Sequence, residues 1–426
     1  MIDIKLIRER AEYVRTAIQN KLETGALAKL DAIIALDQQR RAIIKEVEEK
    51  KSASNKISEK IGIAKRTGAP IDENELLLSK NLSNEIKDCD GKLHAIETDL
   101  DDALLWIPNI PHESVPVGAS AKENRIEKIW GEPSLDDFTR LDHLELSKRL
   151  GLFDFERGAK ISGSGFPVYT GKGAALERAL INFMLDVQTN EHGYKEIFPP
   201  FVVNQRSLYG TAQLPKSRED MYKCADDDLY LIPTAEVPLT NLHRDETLKA
   251  EDLPVKYAGY SACFRREAGS YGKDTKGFLR VHEFNKVELV KIAAPETSFD
   301  ELESLTRNAE MILELLDIPY RRMLLCTGDT SFGSAKTYDL EAYAPAEKKW
   351  LEVSSCSNFM DFQARRANIR FKRDAKSKPE FVHTLNGSGL ATSRLMVALL
   401  ENHQTPDGTV VIPKPLHRYT GFTVIS

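Results

Sequence analysis

The 426-residue sequence has few cysteines, no long apolar run and little excess of charge of either sign. Its five cysteines contain no CxxC pair and the nine histidines do not cluster beside them, so we expect neither a disulfide framework nor a zinc site. No apolar stretch reaches membrane-spanning length, and the first ten residues interleave charges where a signal peptide would have an apolar core. We therefore expect a soluble cytoplasmic protein with reduced thiols and no membrane partner.

The charge balance does not indicate nucleic-acid binding by the chain as a whole. Lysine and arginine number 59 against 65 aspartates and glutamates, a net charge of −6, so a nucleic acid would have to bind a local patch. Hydrophobic residues make up 41% of the chain and charged residues 29%, which is enough apolar material for a large core. The length predicts two or three domains.

The first quarter of the chain has the pattern of a helical hairpin. Apolar or small residues recur at alternating spacings of four and three over 82–107, and a less regular frame covers 33–61. Such spacing is typical of a coiled-coil seam. Gly68-Ala69-Pro70 predicts the turn, so we expect a helix over 30–62 to pair antiparallel with the second helix. Three seam positions in the first helix are polar: Arg40, Lys50 and Ser54.

Two functions fit a hairpin of this length. The pattern alone favours a dimerisation or spacer coil, and the alternative is an arm that reaches for nucleic acid. Charge runs on exposed helices usually only solvate them, so the basic residues leave both functions open. The basic residues of the first helix and turn are Lys45, Lys50, Lys51, Lys56, Lys60, Lys65 and Arg66.

Prolines and a glycine mark a boundary after the hairpin. Pro108, Pro111, Pro116 and Gly118 cannot continue a helix. We place an N-terminal helical domain at 1–107, a linker at 108–125 and a mixed α+β domain at 126–426.

Two glycine- and lysine-containing segments fail as phosphate-binding loops. The segment 165–173 is one residue too long for a P-loop and ends in Gly173, where Ser or Thr should hold magnesium. Gly272-Lys273-Asp274 fails likewise, and a dinucleotide-binding fingerprint is absent from the sequence. Any ATP must therefore be held by side chains on another scaffold.

The segment 263–290 predicts two strands joined by a loop that contains Gly269, Gly272 and Gly277. Guanidinium groups bind phosphate oxygens, an aromatic ring can stack on a purine, and a buried acid can hold an ammonium group. Ordinary surface ion pairs are the alternative. Alternation places these side chains on one face of each strand: Arg265 and Glu267 on the first, and Arg280, His282, Phe284, Lys286 and Glu288 on the second.

Three segments together resemble the class II aminoacyl-tRNA synthetases, and most closely the seryl-tRNA synthetase family. They are the amphipathic helix 176–187 with 193–201 (motif 1, with Pro200 at its proline), 264–288 (motif 2), and 387–394 with the apolar helix that follows (motif 3). The seryl assignment depends on three further segments: Thr234-Ala235-Glu236, Glu352-Val353-Ser354-Ser355 and 384–389.

The resemblance implies an α+β fold, with an antiparallel coiled-coil arm that binds tRNA and an antiparallel β-sheet catalytic domain flanked by helices. It implies a ligase that converts L-serine and ATP to seryl-adenylate and then transfers serine to the 3′ end of tRNA-Ser, with tRNA-Sec as a further candidate substrate. It also implies Mg²⁺, no zinc, and a homodimer.

The resemblance further implies the ATP-binding residues. Arg265, Arg280 and Arg394 are the implied catalytic groups, with Arg265 at the α-phosphate and the other two at the outer phosphates. Phe284 and Arg394 would sandwich the adenine, and Glu352 and Ser355 would bind magnesium. The implied ATP-binding set is Arg265, Arg266, Glu267, Arg280, Val281, Phe284, Glu352, Val353, Ser354, Ser355 and Arg394.

The implied serine site is a second set. Glu288 would take the ammonium group and Ser388 the hydroxyl, while His282 packs. The alternative for Ser388, between Gly387 and Gly389, is a turn residue whose hydroxyl bonds the backbone. The implied serine-binding set is Thr234, Ala235, Glu236, Arg265, Glu288 and Ser388.

Two rival functions remain open at this point. A scaffolding or tRNA-binding protein that had lost activity would be expected to have damaged motif arginines, yet Arg265, Arg280 and Arg394 are present. An enzyme that loads an amino acid onto a carrier protein would have no use for the arm.

Overall fold

The computed structural model of the chain describes residues 1–68, 70–133, 138–268 and 276–426. It forms two compact units. The helical unit comprises residues 2–19 and 23–108, and the larger unit comprises Met1, residues 20–22 and residues 109–426.

The described residues form these α-helices: α1 (Ile4–Glu9), α2 (Ala11–Asn20), α3 (Ala26–Thr67), α4 (Glu73–Leu104), α5 (His143–Leu150), α6 (Phe155–Ser162), α7 (Gly171–Asn190), α8 (Gln205–Gly210), α9 (Glu236–Asn241), α10 (Ser298–Leu315), α11 (Phe362–Ala367), α12 (Thr392–Asn402) and α13 (His417–Thr420). The strands are β1 (Arg125–Trp130), β2 (Phe153–Asp154), β3 (Val168–Tyr169), β4 (Lys195–Glu196), β5 (Val202–Asn204), β6 (Leu229–Leu231), β7 (Thr247–Lys249), β8 (Val255–Phe264), β9 (Glu283–Ala293), β10 (Tyr320–Leu324), β11 (Lys336–Ala344), β12 (Lys349–Asn358), β13 (Arg370–Lys372), β14 (Glu380–Phe381), β15 (His383–Ala391), β16 (Val410–Val411) and β17 (Val424–Ile425).

The first helix of the arm, α3, is longer than the sequence predicts. It begins at Ala26, continues past residue 62, where the predicted helix ends, and ends at Thr67. Gly68 follows in the left-handed conformation (φ 68°), and its N–H bonds to the Ala64 carbonyl, which is how glycine commonly ends a helix. Of the predicted turn, Ala69 lies outside the described residues.

Helices α3 and α4 pair antiparallel, as predicted. Ion pairs join them from base to tip: Arg40 to Glu97 (3.0 Å), Lys50 to Glu85, and Lys60 to Glu75 (3.4 Å). Arg40 and Lys50 are two of the three polar seam positions, so cross-helix ion pairs explain the irregular frame of α3. The predicted seam positions of α4 are all at least partly buried.

The larger unit is an α+β domain, which confirms the predicted fold class. Its main sheet has eight strands in the order β1-β10-β11-β12-β15-β9-β8-β4. Neighbouring strands are antiparallel except for β4 and β8, which are parallel. Helices α7, α10 and α12 bury apolar side chains such as Leu180, Leu305 and Leu399 in the core.

Strands β8 and β9 form the predicted hairpin, but they are shorter than the alternation pattern indicates. Cys263 pairs with Phe284 and Phe264 with Glu283, where the ladder ends. Four predicted strand-face residues therefore lie beyond the strand ends: Arg265, Glu267, Arg280 and His282. Glu267 adopts a left-handed conformation (φ 52°) and a 3₁₀ turn, Gly277–Leu279, precedes Arg280, because the chain leaves the sheet there. The loop residues Gly269, Gly272 and Lys273 lie outside the described residues.

None of the helices in the described ranges combines the length and apolar composition needed to cross a membrane.

Candidate active site

A cleft of about 500 Å³ opens on the larger unit where β8, β9, β12 and β15 meet the start of α12. All but two of the predicted site residues line it. The predicted residues that line the cleft are Thr234, Glu236, Arg265, Glu267, Arg280, Val281, Phe284, Glu288, Glu352, Val353, Ser354, Ser355, Ser388 and Arg394.

The two exceptions are Ala235 and Arg266. Ala235 is fully buried and packs against Leu239 and Val290, behind the cleft wall. Arg266 is not among the lining residues, and its backbone N–H donates to the Asp220 carbonyl (3.0 Å). Arg266 follows Arg265 directly, and the two side chains do not share the cleft.

Each of the three motif arginines contacts a local partner. Arg280 forms a short ion pair with Glu267. The guanidinium of Arg394 donates to the Glu352 carbonyl (3.0 Å) and lies 3.4 Å from the Glu352 carboxylate. These partners hold the cationic groups along one wall of the cleft, where incoming phosphate oxygens can replace them as acceptors.

Arg265 stands against an aromatic ring. Its guanidinium carbon lies 5.1 Å from the centre of the Phe284 ring, and its Nε donates to the Pro233 carbonyl (3.3 Å). A cation over a ring face at this distance is attracted to it. Nearby, His282 packs against Phe166, with its Nδ1 2.9 Å from the Arg265 carbonyl oxygen.

The cleft also contains two buried acids. Glu288 Oε2 pairs with the ammonium of Lys286 and accepts a hydrogen bond from the Thr234 hydroxyl (2.9 Å). Glu236 accepts a hydrogen bond from Gln363 Nε2 (2.6 Å). Burial, together with the nearby Glu288 carboxylate, raises the pKa of Glu236 to about 7. An ammonium group placed between these acids would favour the ionised form of both.

Ser388 lies in the middle of β15 and faces the cleft. It pairs with Glu288 of β9, and its carbonyl accepts a hydrogen bond from the Ser354 hydroxyl (2.7 Å). The alternative interpretation of Ser388 as a turn residue is therefore wrong. The glycine before it packs closely, because a Cβ on Gly387 would lie 2.5 Å from Leu305 and 2.8 Å from Cys356 Sγ.

An all-oxygen group of side chains lies beside Arg394. Glu352 is half exposed in the cleft, and Ser355 pairs with Asp339 across β11 and β12. Asp339 is partly exposed, but its Oδ1 is buried and has no hydrogen-bond partner among the described residues. Burial and the Glu352 carboxylate raise the pKa of Asp339 well above its usual value. Oxygen donors with one unpartnered carboxyl oxygen beside them suit a hard divalent cation.

Sequence reasoning missed several residues that line the cleft and one, Gln363, that lies behind it. Lys286 was placed on the correct strand face but was given no role, and the structure shows it paired with Glu288. Gln363 orients Glu236 from a helix 127 residues further along the chain, which no local pattern reveals. The other unpredicted polar lining residues include Thr211, Gln213, Ser331, Asn386 and Ser393.

Two protein families match the sequence. Residues 1–111 match the family described as "Seryl-tRNA synthetase N-terminal domain". Residues 222–403 match the family described as "tRNA synthetase class II core domain (G, H, P, S and T)".

Individual proteins match the whole chain. A serine–tRNA ligase of Chloroherpeton thalassium is 56% identical over 426 residues, which is 100% of both chains. The crystal structure of a seryl-tRNA synthetase from Pyrococcus horikoshii complexed with ATP has a TM-score of 0.95 and 41% identity, covering 100% of this chain and 99% of that one. A cytoplasmic serine–tRNA ligase of Naegleria fowleri in complex with AMP has a TM-score of 0.89 and 32% identity, with the same coverage.

Proposed function

The chain belongs to the seryl-tRNA synthetase family of class II synthetases, and we propose that it joins L-serine to tRNA-Ser in two steps. Serine and ATP first give seryl-adenylate and pyrophosphate, and the seryl group then passes to the 3′-terminal ribose of the tRNA. The observation that carries the proposal is the layout of one cleft, with Arg265, Arg280 and Arg394 along its wall and the acids Glu236 and Glu288 at its end.

In the first step, the serine carboxylate attacks the α-phosphorus of ATP, a new P–O bond forms, and pyrophosphate leaves. The carboxylate is already a nucleophile, so alignment and charge neutralisation supply the catalysis. Arg265 stabilises the charge that develops on the α-phosphate. The β- and γ-phosphates bind Arg280 and Arg394, and in doing so replace Glu267 and Glu352 as the partners of these arginines.

The base of ATP stacks on the cleft's aromatic wall. Phe284 offers a flat face that is held in place by β9, and the guanidinium of Arg394 covers the other side of the adenine. In this arrangement Arg265 leaves the face of the Phe284 ring and turns to the phosphate.

The amino acid lies at the acidic end of the cleft. Its ammonium group pairs with Glu236 and Glu288, which lowers the proton affinity of Glu236. Its hydroxyl lies between Glu288 and Ser388, where both a carboxylate and a hydroxyl are in reach. Thr234 and Lys286 fix the Glu288 carboxylate in this position.

The residues at the outer-phosphate end fit Mg²⁺. Glu352 and Ser355 would hold it, since both offer oxygen ligands and neither is blocked by the protein core. When bound, the cation adds positive charge near the phosphate oxygens.

In the second step, the tRNA hydroxyl attacks the seryl carbonyl and a new ester C–O bond forms. The bond between the carbonyl carbon and the phosphate oxygen breaks, AMP leaves with its electrons, and the hydroxyl proton passes to the departing phosphate. The arm, α3 with α4, binds the tRNA through its exposed basic residues. The boundaries at 1–107, 108–125 and 126–426, and the use of tRNA-Sec as a second substrate, remain predictions. We place the reaction in the cytoplasm.

The working form is a homodimer built on motif 1. Phe198, just after α7 and β4, is 75% exposed, and a second copy of the chain would cover it.

Charging of purified tRNA-Ser with labelled serine tests the complete proposal. The chain should produce acid-stable seryl-tRNA only when ATP and tRNA-Ser are both present. A carrier-protein ligase would form the adenylate and leave tRNA-Ser uncharged. That result would overturn the transfer to tRNA but not the activation of serine.

A further inference from the structure

Three buried polar atoms of the larger unit converge at a point outside the cleft. His143 Nδ1 at the start of α5 lies 3.7 Å from Glu347 Oε1 and 3.8 Å from Glu401 Oε1 at the end of α12. All three atoms lie within 4.8 Å of one another. None of these residues is among the described residues that line the cleft.

The three atoms have no hydrogen-bond partner among the described residues. The side chains of His143 and Glu401 are 0% exposed and that of Glu347 is 10% exposed. The ammonium of Lys276 forms an ion pair with Glu347 Oε1 (3.5 Å) as well as with Asp142 (2.5 Å). Buried polar atoms without hydrogen-bond partners are costly, and a ligand bound at the point where these three converge would relieve that cost.

The remaining polar atoms of the group are already engaged. Glu401 Oε2 accepts hydrogen bonds from the backbone N–H groups of Ala346 (2.9 Å) and Glu347 (3.2 Å). His143 Nε2 faces the N–H of Phe278 at 3.4 Å. These contacts aim the unpaired atoms at one shared point.

We propose that His143, Glu347 and Glu401 form a binding site for a divalent transition-metal cation, with zinc as its representative. One imidazole nitrogen and two carboxylate oxygens are a ligand set that such ions favour. Ligands around a tetrahedral zinc lie roughly 3.3–3.6 Å apart, given metal–ligand distances of about 2.0–2.2 Å. The two separations from His143 Nδ1, 3.7 and 3.8 Å, need only a small contraction, whereas the three atoms as a set, which lie within 4.8 Å of one another, must draw closer together around the ion.

The ion would connect three segments behind the phosphate-binding wall. When a metal occupies Nδ1, the proton of the neutral imidazole must lie on Nε2. The Nε2–H group would then face the N–H of Phe278, and because both groups are donors, the present hydrogen bond between them would be lost. Phe278 is two residues before Arg280. The backbone at Gly277 lies directly on the ring, because a Cβ there would be 2.2 Å from Nε2. Binding of the ion therefore acts on the return segment of motif 2.

No local pattern in the sequence indicates this site, and the family resemblance implies no zinc. The three ligands are separated by more than 50 residues at each step, so they form no local spacing of the kind that identifies zinc-binding sequences.

The first test is zinc titration by calorimetry on chelator-treated full-length protein. The Glu352→Gln variant removes the magnesium candidate site and should still bind one zinc ion per chain. Adding Glu347→Gln, which keeps the side-chain volume, should weaken that binding by more than about 10-fold. Adding Glu156→Gln instead, an exposed glutamate of α6, should not change it. Equal zinc affinity in the Glu347→Gln and Glu156→Gln proteins would overturn the proposal.

The second test does not depend on any variant. Crystals of the unaltered protein soaked in zinc should give an anomalous-scattering peak within bonding distance of the His143, Glu347 and Glu401 atoms. A water molecule without anomalous signal at that point would overturn the proposal.

Discussion

Ser388 on β15 lies directly opposite Glu288 on the neighbouring antiparallel strand β9. Residues directly opposite in an antiparallel pair point to the same face of the sheet. Here that face is the cleft, so a hydroxyl and a buried carboxylate stand side by side where the substrate's own hydroxyl would lie. This pair gives a physical basis for choosing serine.

Ser388→Ala should reduce discrimination between serine and alanine. A site built to bond a substrate hydroxyl rejects the analogue without it by on the order of 10⁴-fold, because its polar groups would be left unpaired. Removing the Ser388 hydroxyl, one of the two groups expected to bond the substrate hydroxyl, should lower the ratio of serine to alanine activation. It should leave the KM for ATP nearly unchanged. Exchange kinetics with serine and alanine measure the ratio, and identical ratios in the two proteins would remove Ser388 from the site.

Arg265→Ala should slow adenylate formation about 10²–10³-fold, the usual loss for one donor that stabilises developing charge. Its neighbour supplies a matched control, since Arg266 does not line the cleft. Arg266→Ala should keep exchange within a few-fold of the unaltered protein. Similar losses in the two folded variants would contradict the role given to Arg265.

The sequence predicted which residues line the cleft better than it predicted their geometry. Arg265, Arg280 and Arg394 were found because motif segments are local in sequence and their residue types are restricted by phosphate binding. The strand-face argument grouped Arg265 with Arg280 correctly but for the wrong reason, because both lie beyond the ends of the strands. Alternation cannot show where a ladder ends.

Long-range partners were beyond sequence reasoning. Gln363 and Glu236, or His143 and Glu401, come together only through the packing of helices on the sheet. The arm was easier to predict, because a coiled-coil seam is a local repeat. Even there, the pairing of Lys50 with Glu85 was needed to explain a polar residue in the seam.

Glu236 should make the stability of the larger unit depend on pH. Its pKa is about 7 in the folded protein and near 4.5 in the unfolded chain, so the folded state holds the proton more tightly. The contribution of this tighter proton binding to the free energy of unfolding is on the order of 3 kcal/mol. It is fully present below pH 4.5 and is lost as the pH rises towards 7. In urea unfolding, the free energy of unfolding should fall less between pH 5 and pH 8 for the Glu236→Gln variant than for the unaltered protein. A parallel decline in both proteins would disprove the shift.

The arm should act on tRNA and leave ATP chemistry unchanged. Lys56 and Lys65 are exposed, whereas Lys50 holds the two helices together. Replacing Lys56 and Lys65 with Glu should raise the KM for tRNA-Ser and flatten the salt dependence of binding, because fewer counterions are released. Lys376 and Lys378, equally exposed on the other unit, provide a control pair. A salt slope no flatter than that of the control would show that these arm lysines only solvate the helix.

Phe198→Asp should weaken the dimer. The exposed ring would be buried in an interface between two copies, and a carboxylate there would lose its hydration. Light scattering at micromolar concentration should give twice the 47.9 kDa chain mass for the unaltered protein and a lower mass for the variant. A monomeric unaltered protein would refute the homodimer.

Serine-dependent ATP–pyrophosphate exchange tests the central claim most directly, because it reports adenylate formation without tRNA. We expect exchange with serine, far slower exchange with alanine and threonine, and none without an amino acid. Exchange that fails with serine in the folded protein, or that is as fast with alanine, would contradict the assignment of this cleft to serine activation.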